Sequence, residues 1–247
     1  ASMINVAVVG SRGRMGATVC QAVEAATDMS LVATMDVGDT LADVARADVV
    51  VDFATPDDAM DRIDRYIAAG VHAVIGTTGF NEDQLLTVGQ AVAAQPNLGV
   101  IVAPNFSLGA VLLMRFAREA APFFESAEII ELHHPEKLDA PSGTARLTAH
   151  MMTDARRAAN VTPGPDSTDE TDRKARGVRV GDIPVHSVRL RGLIAHQEVL
   201  FGSAGDVFTL RHDSFDRESY MPGVLLAVRT APTRPGLTVG LEALLDR

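Results

Sequence analysis

The segment from Glu131 to Ala145 reads E-L-H-H-P-E-K-L-D-A-P-S-G-T-A and combines two histidines, a lysine and a glycine-containing turn. Reducing a conjugated double bond in a small dicarboxylate requires positive charge for the ligand and an acid that supplies a proton. Histidine is the side chain most often used as a general acid, which suits His133 to that role. Lys137 can neutralise a carboxylate or donate a proton. We therefore predict catalytic roles for His133 and Lys137.

The end of the same segment is predicted to bind a carboxylate. Ser142, Gly143 and Thr144 lead into a predicted helix, whose first turn offers hydroxyls and free backbone N–H groups to an anion. We predict that these three residues bind the substrate together with His134.

The two histidines have competing interpretations. Neighbouring residues on a strand point to opposite faces, and no histidine at helical i, i+4 spacing accompanies this pair, so we predict no metal site. One of the two could instead be a hydrogen-bonded core residue. The nearby acids Glu131 and Asp139 either orient the basic groups or pair with them.

A second candidate site lies near the start of the chain, in the sequence Gly10-Ser-Arg-Gly-Arg-Met-Gly16. It follows an apolar run and opens a helical segment, which is the context of a dinucleotide-binding turn. The helix start offers N–H groups and its positive dipole end to a diphosphate. The spacing is G-x-x-G-x-x-G rather than the commoner G-x-G-x-x-G. The predicted cofactor-binding residues of this turn are Gly10, Ser11, Arg12, Gly13, Arg14 and Met15.

Asp36 strengthens the dinucleotide prediction because it ends the second predicted strand, 20 residues beyond Gly16, where an acid can accept hydrogen bonds from ribose hydroxyls. Alternatively, it is an exposed turn aspartate. Asp36 would repel the 2′-phosphate of NADPH, whereas Arg12 and Arg14 would attract it. We therefore expect NADH or NADPH as cofactor. Alternatively, the two arginines are solvated residues at the start of the helix and have no role in cofactor binding.

Short apolar runs alternate with amphipathic stretches as far as Ala103, which predicts βαβ units and a parallel sheet. The predicted strands are Ile4–Val9, Leu31–Met35, Val49–Ala54, Ala73–Ile75 and Val100–Ala103, and the predicted helices are Arg14–Ala26, Pro56–Ala69 and Glu82–Ala94. Loops at the carboxyl ends of such strands line the ligand crevice. Further predicted cofactor-binding residues are therefore Gly76, Thr77, Thr78, Ala103, Pro104, Asn105 and Phe106.

The pattern changes after Asn105. The predicted elements are a long helix at Leu108–Phe124, a strand at Glu128–Leu132, a helix at Thr144–Arg157, strands at Val185–Leu190, Glu198–Phe201 and Val207–Arg211, and a helix at Tyr220–Thr230. The later strands predict a mostly antiparallel meander. The segment Asn160–Asp182 is long for a loop in a compact domain, and such loops are usually functional or disordered.

Composition limits the partners. The net charge of −10 argues against duplex DNA or an anionic membrane as the main partner, and no apolar run reaches the roughly 18 residues of a membrane span. Cys20 is the single cysteine, so no internal disulfide can form, and no secretory signal pattern is present. We expect a cytoplasmic protein with two domains.

The motifs together resemble the dihydrodipicolinate reductase (4-hydroxy-tetrahydrodipicolinate reductase) family of diaminopimelate and lysine biosynthesis. The resemblance rests on E-x-H-H-x-x-K-x-D-A-P-S-G-T-A, on G-x-x-G-R-M-G, on V-x-D-F-x-x-P at Val50–Pro56, and on G-T-T-G and A-P-N-F-S. It implies that His133 donates or accepts a proton, that Lys137 donates one, and that His134, Gly143 and Thr144 contact substrate. Some members place an arginine directly after the strand-2 acid, where this chain has Val37.

The resemblance also implies the architecture: a Rossmann-like dinucleotide domain of residues 1–105 and 214–247, and an α+β substrate and tetramerisation domain of residues 106–213 with a mixed or antiparallel sheet. The implied protein is a homotetramer. Its implied reaction is hydride transfer from NAD(P)H that reduces 4-hydroxy-tetrahydrodipicolinate to tetrahydrodipicolinate.

Two other functions are compatible with the residues. One is a redox-sensing module that holds a dinucleotide without chemistry. The other is a reductase of a different imino or oxo dicarboxylate. Strong inhibition by planar pyridine dicarboxylates would support 4-hydroxy-tetrahydrodipicolinate as the substrate. No inhibition would favour a different imino or oxo dicarboxylate.

Overall fold

The computed structural model describes residues 2–36 and 38–246. The strands are β1 (Ile4–Val9), β2 (Met29–Met35), β3 (Val49–Asp52), β4 (His72–Ile75), β5 (Gly99–Val102), β6 (Ser126–His133), β7 (Val178–Val180), β8 (Ile183–Arg189), β9 (Ala195–Ser203), β10 (Asp206–Ser214) and β11 (Gly236–Val239). The α-helices are α1 (Arg14–Ala25), α2 (Ala59–Ala68), α3 (Glu82–Ala93), α4 (Leu108–Ala120), α5 (Gly143–Ala158) and α6 (Met221–Thr230).

The chain forms two compact units, one of Ala1–Leu108 with Arg217–Arg247 and one of Gly109–Asp216. The first contains a parallel sheet and the second a mixed sheet. The predicted α/β class is confirmed. Within the described residues, no helix combines the length and apolarity that a membrane crossing needs.

The parallel sheet has the strand order β11-β5-β4-β3-β1-β2. Strand β1 lies between β2 and β3, so the chain direction across the sheet reverses at β1. Ligands of open parallel sheets bind at the carboxyl ends of the strands beside such a reversal. The strand β11, which the sequence analysis did not predict, pairs with β5 and extends the sheet from the end of the chain.

Helices cover both faces of this sheet, which explains why its central strands are continuous apolar runs. Ile63 and Tyr66 of α2 and Val88 of α3 pack on one face. Val19 of α1 and Val224 of α6 are also fully buried, and these two helices contact each other. The buried sheet is a rigid support for the loops at its carboxyl edge.

The second sheet has the order β10-β9-β6-β8-β7, and β6 pairs parallel with β8. The predicted meander is therefore wrong in one respect, because β6 lies between β9 and β8 rather than at the end of a simple antiparallel series. The connection from β6 to β8 contains α5 and is long enough to cross over the sheet, which is what a parallel pair requires.

Two further differences have local causes. The predicted helix at Leu108–Phe124 ends at Ala120, and residues Ala121–Phe123 form a 3₁₀ turn that contains Pro122. Proline cannot donate the hydrogen bond that would continue the helix. The predicted loop Asn160–Asp182 contains a 3₁₀ turn and β7.

The buried guanidinium of Arg156 anchors the start of that segment, because its Nη atoms donate to the carbonyl oxygens of Ala121, Phe124, Glu125 and Thr162. This side chain is 1% exposed. A buried arginine is tolerated when its N–H groups find such acceptors. The segment is therefore held against the second unit at its beginning.

Candidate active site

The glycine turn after β1 has room only for backbone. Gly10 has φ 82°, and an added Cβ there would lie 2.7 Å from the backbone nitrogen of Ala54. A Cβ at Gly16 would overlap the carbonyl oxygen of Gly10. The turn thus requires glycine for a left-handed conformation and for the close packing of the helix start against the turn.

The start of α1 is suited to an anion. Gly13 is its N-cap, no side chain of the described residues caps it, and its first turn contains no acid. By contrast, Asn81 closes the start of α3 with a capping box. An uncapped helix start leaves N–H groups and the positive dipole end available, so the turn fits the diphosphate of a dinucleotide.

Asp36 is connected to the glycine turn rather than projecting freely from it. Its Oδ2 accepts hydrogen bonds from Ser11 Oγ at 2.8 Å and from the Arg12 backbone N–H at 2.9 Å. The Arg12 guanidinium lies 3.6 Å from Asp36 and 3.7 Å from Asp39, with its side chain 78% exposed. The acid therefore braces the turn, and the interpretation as an exposed turn aspartate is wrong. Val37 lies outside the described residues.

The loops after β3, β4 and β5 also contact one another. Thr77 Oγ1 donates to the carbonyl oxygen of Ala54 at 3.0 Å. A Cβ at Gly76 would overlap the ring of Phe53, which packs against Phe106 with ring centroids 5.5 Å apart. These loops meet at the carboxyl edge of the sheet, where the sequence analysis placed the cofactor. In the same loops, Ala103 is buried, Thr78 and Pro104 are exposed, and the Asn105 carboxamide accepts from the N–H of Ser107.

Asp52, for which no role was predicted from sequence, holds this edge together. Its buried carboxylate accepts hydrogen bonds from the Ala54 N–H at 2.9 Å, Arg62 Nε at 2.7 Å and the Tyr66 hydroxyl at 2.8 Å. Burial, reinforced by Asp52, raises the pKa of Tyr66 far above its usual value, so this hydroxyl stays a donor. The only sequence signal was an acid at the end of an apolar strand in V-x-D-F.

In the second unit, Glu131 is completely buried and lies on the same side of β6 as His133. Its Oε2 lies 2.5 Å from His133 Nδ1, and its two oxygens receive Arg189 Nη1 and Nη2 at 2.9 and 2.8 Å. The Ser142 N–H also donates to Oε1 at 3.2 Å. Burial alone would raise the pKa of Glu131, but the hydrogen bonds from His133, Arg189 and Ser187 together lower it to about 2.

Lys137 and Asp139 form the neighbouring ion pair, with Nζ 2.8 Å from Oδ1. The hydrogen bond from Lys137 lowers the pKa of Asp139, and the backbone N–H of Gly143 contributes in the same direction. The His134 ring has its own carboxylate partner, Glu136, at 3.1 Å. The basic groups of this segment are therefore each paired with an acid.

The start of α5 differs from that of α1 because it carries a cap. Ser142 is 3% exposed, and its hydroxyl accepts the N–H of Ala145 at 3.2 Å. The first helical residues are Gly143 and Thr144, and a Cβ added at Gly143 would meet nothing within 4 Å. The Ser142 hydroxyl is engaged in a hydrogen bond inside the protein, whereas Gly143 borders open space.

Hydrogen bonds thus join most of the predicted substrate residues of the second unit. Arg189 Nη2 also donates to the Asp139 carbonyl oxygen at 2.7 Å. This bond links the loop that contains Lys137 and Asp139, the lysine loop, to Glu131. From the sequence, Glu131 was expected either to orient the basic groups or to pair with them, and Arg189 carried no predicted role. Among the described residues, no cluster of His, Cys, Asp or Glu is arranged to hold a metal ion.

Comparison with known proteins identifies relatives along the whole chain. Residues 4–106 match "Dihydrodipicolinate reductase, N-terminus", and residues 109–245 match "Dihydrodipicolinate reductase, C-terminus". The 4-hydroxy-tetrahydrodipicolinate reductase of Cutibacterium acnes is 56% identical over 243 residues, covering 98% of this chain and 99% of the relative. That of Streptomyces coelicolor is 51% identical over 247 residues, covering 99% of each.

Solved structures agree with these matches. The dipicolinate-bound dihydrodipicolinate reductase of Paenisporosarcina sp. TG-14 is 39% identical with a TM-score of 0.89, covering 98% of this chain and 100% of that chain. The DAP dehydrogenase of C. glutamicum is 16% identical with a TM-score of 0.56, covering 100% of this chain and 96% of that chain, and shares the fold alone.

Proposed function

The chain belongs to the dihydrodipicolinate reductase family, and from this premise we propose that His133 and Lys137 supply the proton and the positive charge for the family's reaction. The enzyme is an NAD(P)H-dependent oxidoreductase that reduces 4-hydroxy-tetrahydrodipicolinate in diaminopimelate and lysine biosynthesis. The observation that carries the proposal is the connected group of His133, Glu131 and the lysine loop beside the start of α5.

The substrate carboxylates bind, in this proposal, at Lys137 and at the start of α5. The ammonium offers charge, and at the start of α5 Thr144 offers its backbone N–H, while Gly143, whose N–H already bonds Asp139, borders open space. Ser142 organises this helix start from inside. His134, which is partly exposed, adds a further donor. The Paenisporosarcina relative binds dipicolinate, a planar pyridine dicarboxylate, and we propose that the same ligand class binds here.

The chemistry requires one hydride and one proton. Loss of the 4-hydroxyl group as water gives a conjugated cyclic imine dicarboxylate. A bound reduced nicotinamide supplies the hydride, whose electron pair forms one new C–H bond. The displaced electron pair of the conjugated system takes up a proton, which the doubly protonated (imidazolium) form of His133 delivers, leaving the neutral ring. Lys137 holds a carboxylate and offsets the negative charge that develops on the ring.

The glycine turn, Asp36 and the Gly76–Thr78 and Ala103–Phe106 loops hold the cofactor in this proposal. Either NADH or NADPH is accepted, because Asp36 favours a free ribose hydroxyl while Arg12 favours a phosphate. The expected values of kcat/KM for the two cofactors, measured with the product of the preceding synthase, lie within about tenfold of each other.

Replacing Arg12 with alanine is expected to lower kcat/KM for NADPH by about threefold to tenfold and to leave that for NADH nearly unchanged. The exposed guanidinium can reach an added phosphate, and the backbone N–H that bonds Asp36 is retained. Arg46→Ala, which removes an exposed arginine paired with Asp43, is the control. An equal loss with both cofactors would contradict a role for Arg12 in cofactor choice.

We also propose the homotetramer and assign its contact to the mixed sheet. Four apolar residues on the side of the sheet opposite the Glu131 side remain partly exposed, namely Ile130, Leu132, Val188 and Leu200, and they lie among the polar residues Glu128, His186 and Glu198. Apolar side chains grouped on one face are typical of a self-association surface. Light scattering should give the mass of four chains of 26.2 kDa for the wild type and a smaller mass for Leu200→Asp. A monomeric wild type would contradict the proposal.

A cytoplasmic location stays a prediction.

A further inference from the structure

Glu131 is the first residue of the segment Glu131–Ala145 and is too buried to meet a ligand itself. It is 0% exposed and receives hydrogen bonds from His133, Arg189 and the Ser142 N–H. An ionised carboxylate is an acceptor only, so every one of these neighbours must donate to it. The contact with His133 therefore places a proton on Nδ1 of the ring.

Arg189 holds this carboxylate in place. Nη1 donates to Glu131 and to the Val188 carbonyl oxygen, and Nη2 donates to Glu131 and to the Asp139 carbonyl oxygen. All the hydrogens of both Nη atoms are thus used inside the protein. Such a two-point contact fixes orientation as well as charge. Arg189 acts as a brace and has no Nη hydrogen left for a substrate.

We propose that Glu131, held by Arg189, is a positioning residue that keeps the proton of the neutral His133 ring on Nδ1 and thereby makes Nε2 the nitrogen that exchanges a proton with the substrate. The inference rests on the proposed role of His133. It adds which atom reacts and which residue decides it. The orientation of a catalytic imidazole by a buried carboxylate is a general device.

The same chain contains reference histidines for both tautomers. His196 Nδ1 lies 2.6 Å from Asp213, and its Nε2 accepts the Ile194 N–H at 3.1 Å, so its proton belongs on Nδ1. His186 has the opposite arrangement, because its Nε2 lies 2.6 Å from Glu128. His133 should therefore resemble His196 and differ from His186.

Nitrogen-15 NMR of the full-length protein with labelled histidine tests this directly at about pH 8, where histidines are usually neutral. The His133 ring is assigned by the loss of its signals in His133→Gln. We expect Nδ1–H for His133 without any ligand. An Nε2–H tautomer, or an even mixture of the two tautomers, would overturn the proposal. The measurement is made on the wild-type protein, so it does not depend on whether a Glu131 variant folds.

Glu131→Gln provides the functional test. The amide presents one N–H₂ group to a cluster of donors, so either the ring switches its proton to Nε2 or the contact with Arg189 is lost. We expect kcat to fall about tenfold to a hundredfold, with the cofactor dissociation constant unchanged. Glu131→Asp keeps a carboxylate and should recover part of the loss together with the Nδ1–H signal.

Glu128→Gln is the matched control, since Glu128 is on the same strand and also contacts a histidine and an arginine, His186 and Arg176. It should change only the His186 signals and leave turnover at the wild-type level. Wild-type kcat in a folded Glu131→Gln protein would refute the positioning role. Full activity of His133→Ala would instead refute the proposed function, while the tautomer measurement would still stand alone.

Discussion

Replacing His133 with alanine is expected to lower kcat by about 10²–10⁴-fold, which is the usual contribution of an aligned proton donor. The side chain is 14% exposed and is oriented by a buried acid, so its removal takes away the proton source without removing a core residue. Steady-state rates with the synthase product give kcat, and titration with NADH or NADPH gives the cofactor affinity. The cofactor affinity should be unchanged, because the loops that are proposed to hold the cofactor belong to the other unit.

The neighbouring His134→Ala variant separates chemistry from binding. His134 is the more exposed of the two rings, and in the proposal it contacts substrate without transferring a proton. Its loss should raise KM more than it lowers kcat. Equal kcat values for the wild type and for His133→Ala would contradict the proton-transfer role.

Removing the ammonium in Lys137→Ala is expected to weaken binding of the substrate, and of planar pyridine dicarboxylates, by about 10–150-fold, the range of a charge-assisted hydrogen bond. The turnover number should fall as well, since the ring loses charge stabilisation during the reaction. Inhibition constants for dipicolinate and steady-state rates with the substrate measure the two effects separately. Dipicolinate inhibition also tests the substrate class.

The chain contains only two lysines, which gives a simple control. Lys174 is exposed in the 3₁₀ turn Arg173–Arg176, and Lys174→Ala should leave both constants at wild-type values. Lys137→Arg keeps the charge but cannot release a proton at working pH. If Lys137→Arg binds dicarboxylate well and keeps most of the wild-type turnover, both proposed roles of the lysine, carboxylate binding and charge stabilisation, are supported. Unchanged dipicolinate inhibition in Lys137→Ala would contradict its role in binding.

The glycine turn that is proposed to hold the cofactor could be predicted from sequence because its requirements are local. A sharp turn and close backbone approach need glycine at Gly10 and Gly16, and the requirement holds wherever the chain goes afterwards. The strands of the first unit were equally readable, since burial on both faces leaves continuous apolar runs. The strand β11 has only four residues and pairs with β5, far away in sequence, so no local signal identified it.

The side chains that hold His133 in place could not be predicted from local sequence in the same way. Glu131 and Arg189 are far apart in sequence, and only the parallel pairing of β6 with β8 places His133 beside Arg189. Side-chain alternation put Glu131 and His133 on one side of β6, but burial of that side depends on the helices that cover it. From its position in the sequence, Glu131 could therefore only be expected to orient the basic groups or to pair with them.

The residue types, their order and the local geometry of turns and helix starts were determined by the sequence itself, since each depends on a few consecutive residues. These features sufficed for the family, the reaction and the class of cofactor. Strand register and burial were decided by the tertiary structure, because they depend on contacts between distant segments. That is why Glu131 is fully buried beside a partly buried arginine, and why the serine that is predicted to bind substrate also caps α5 from inside.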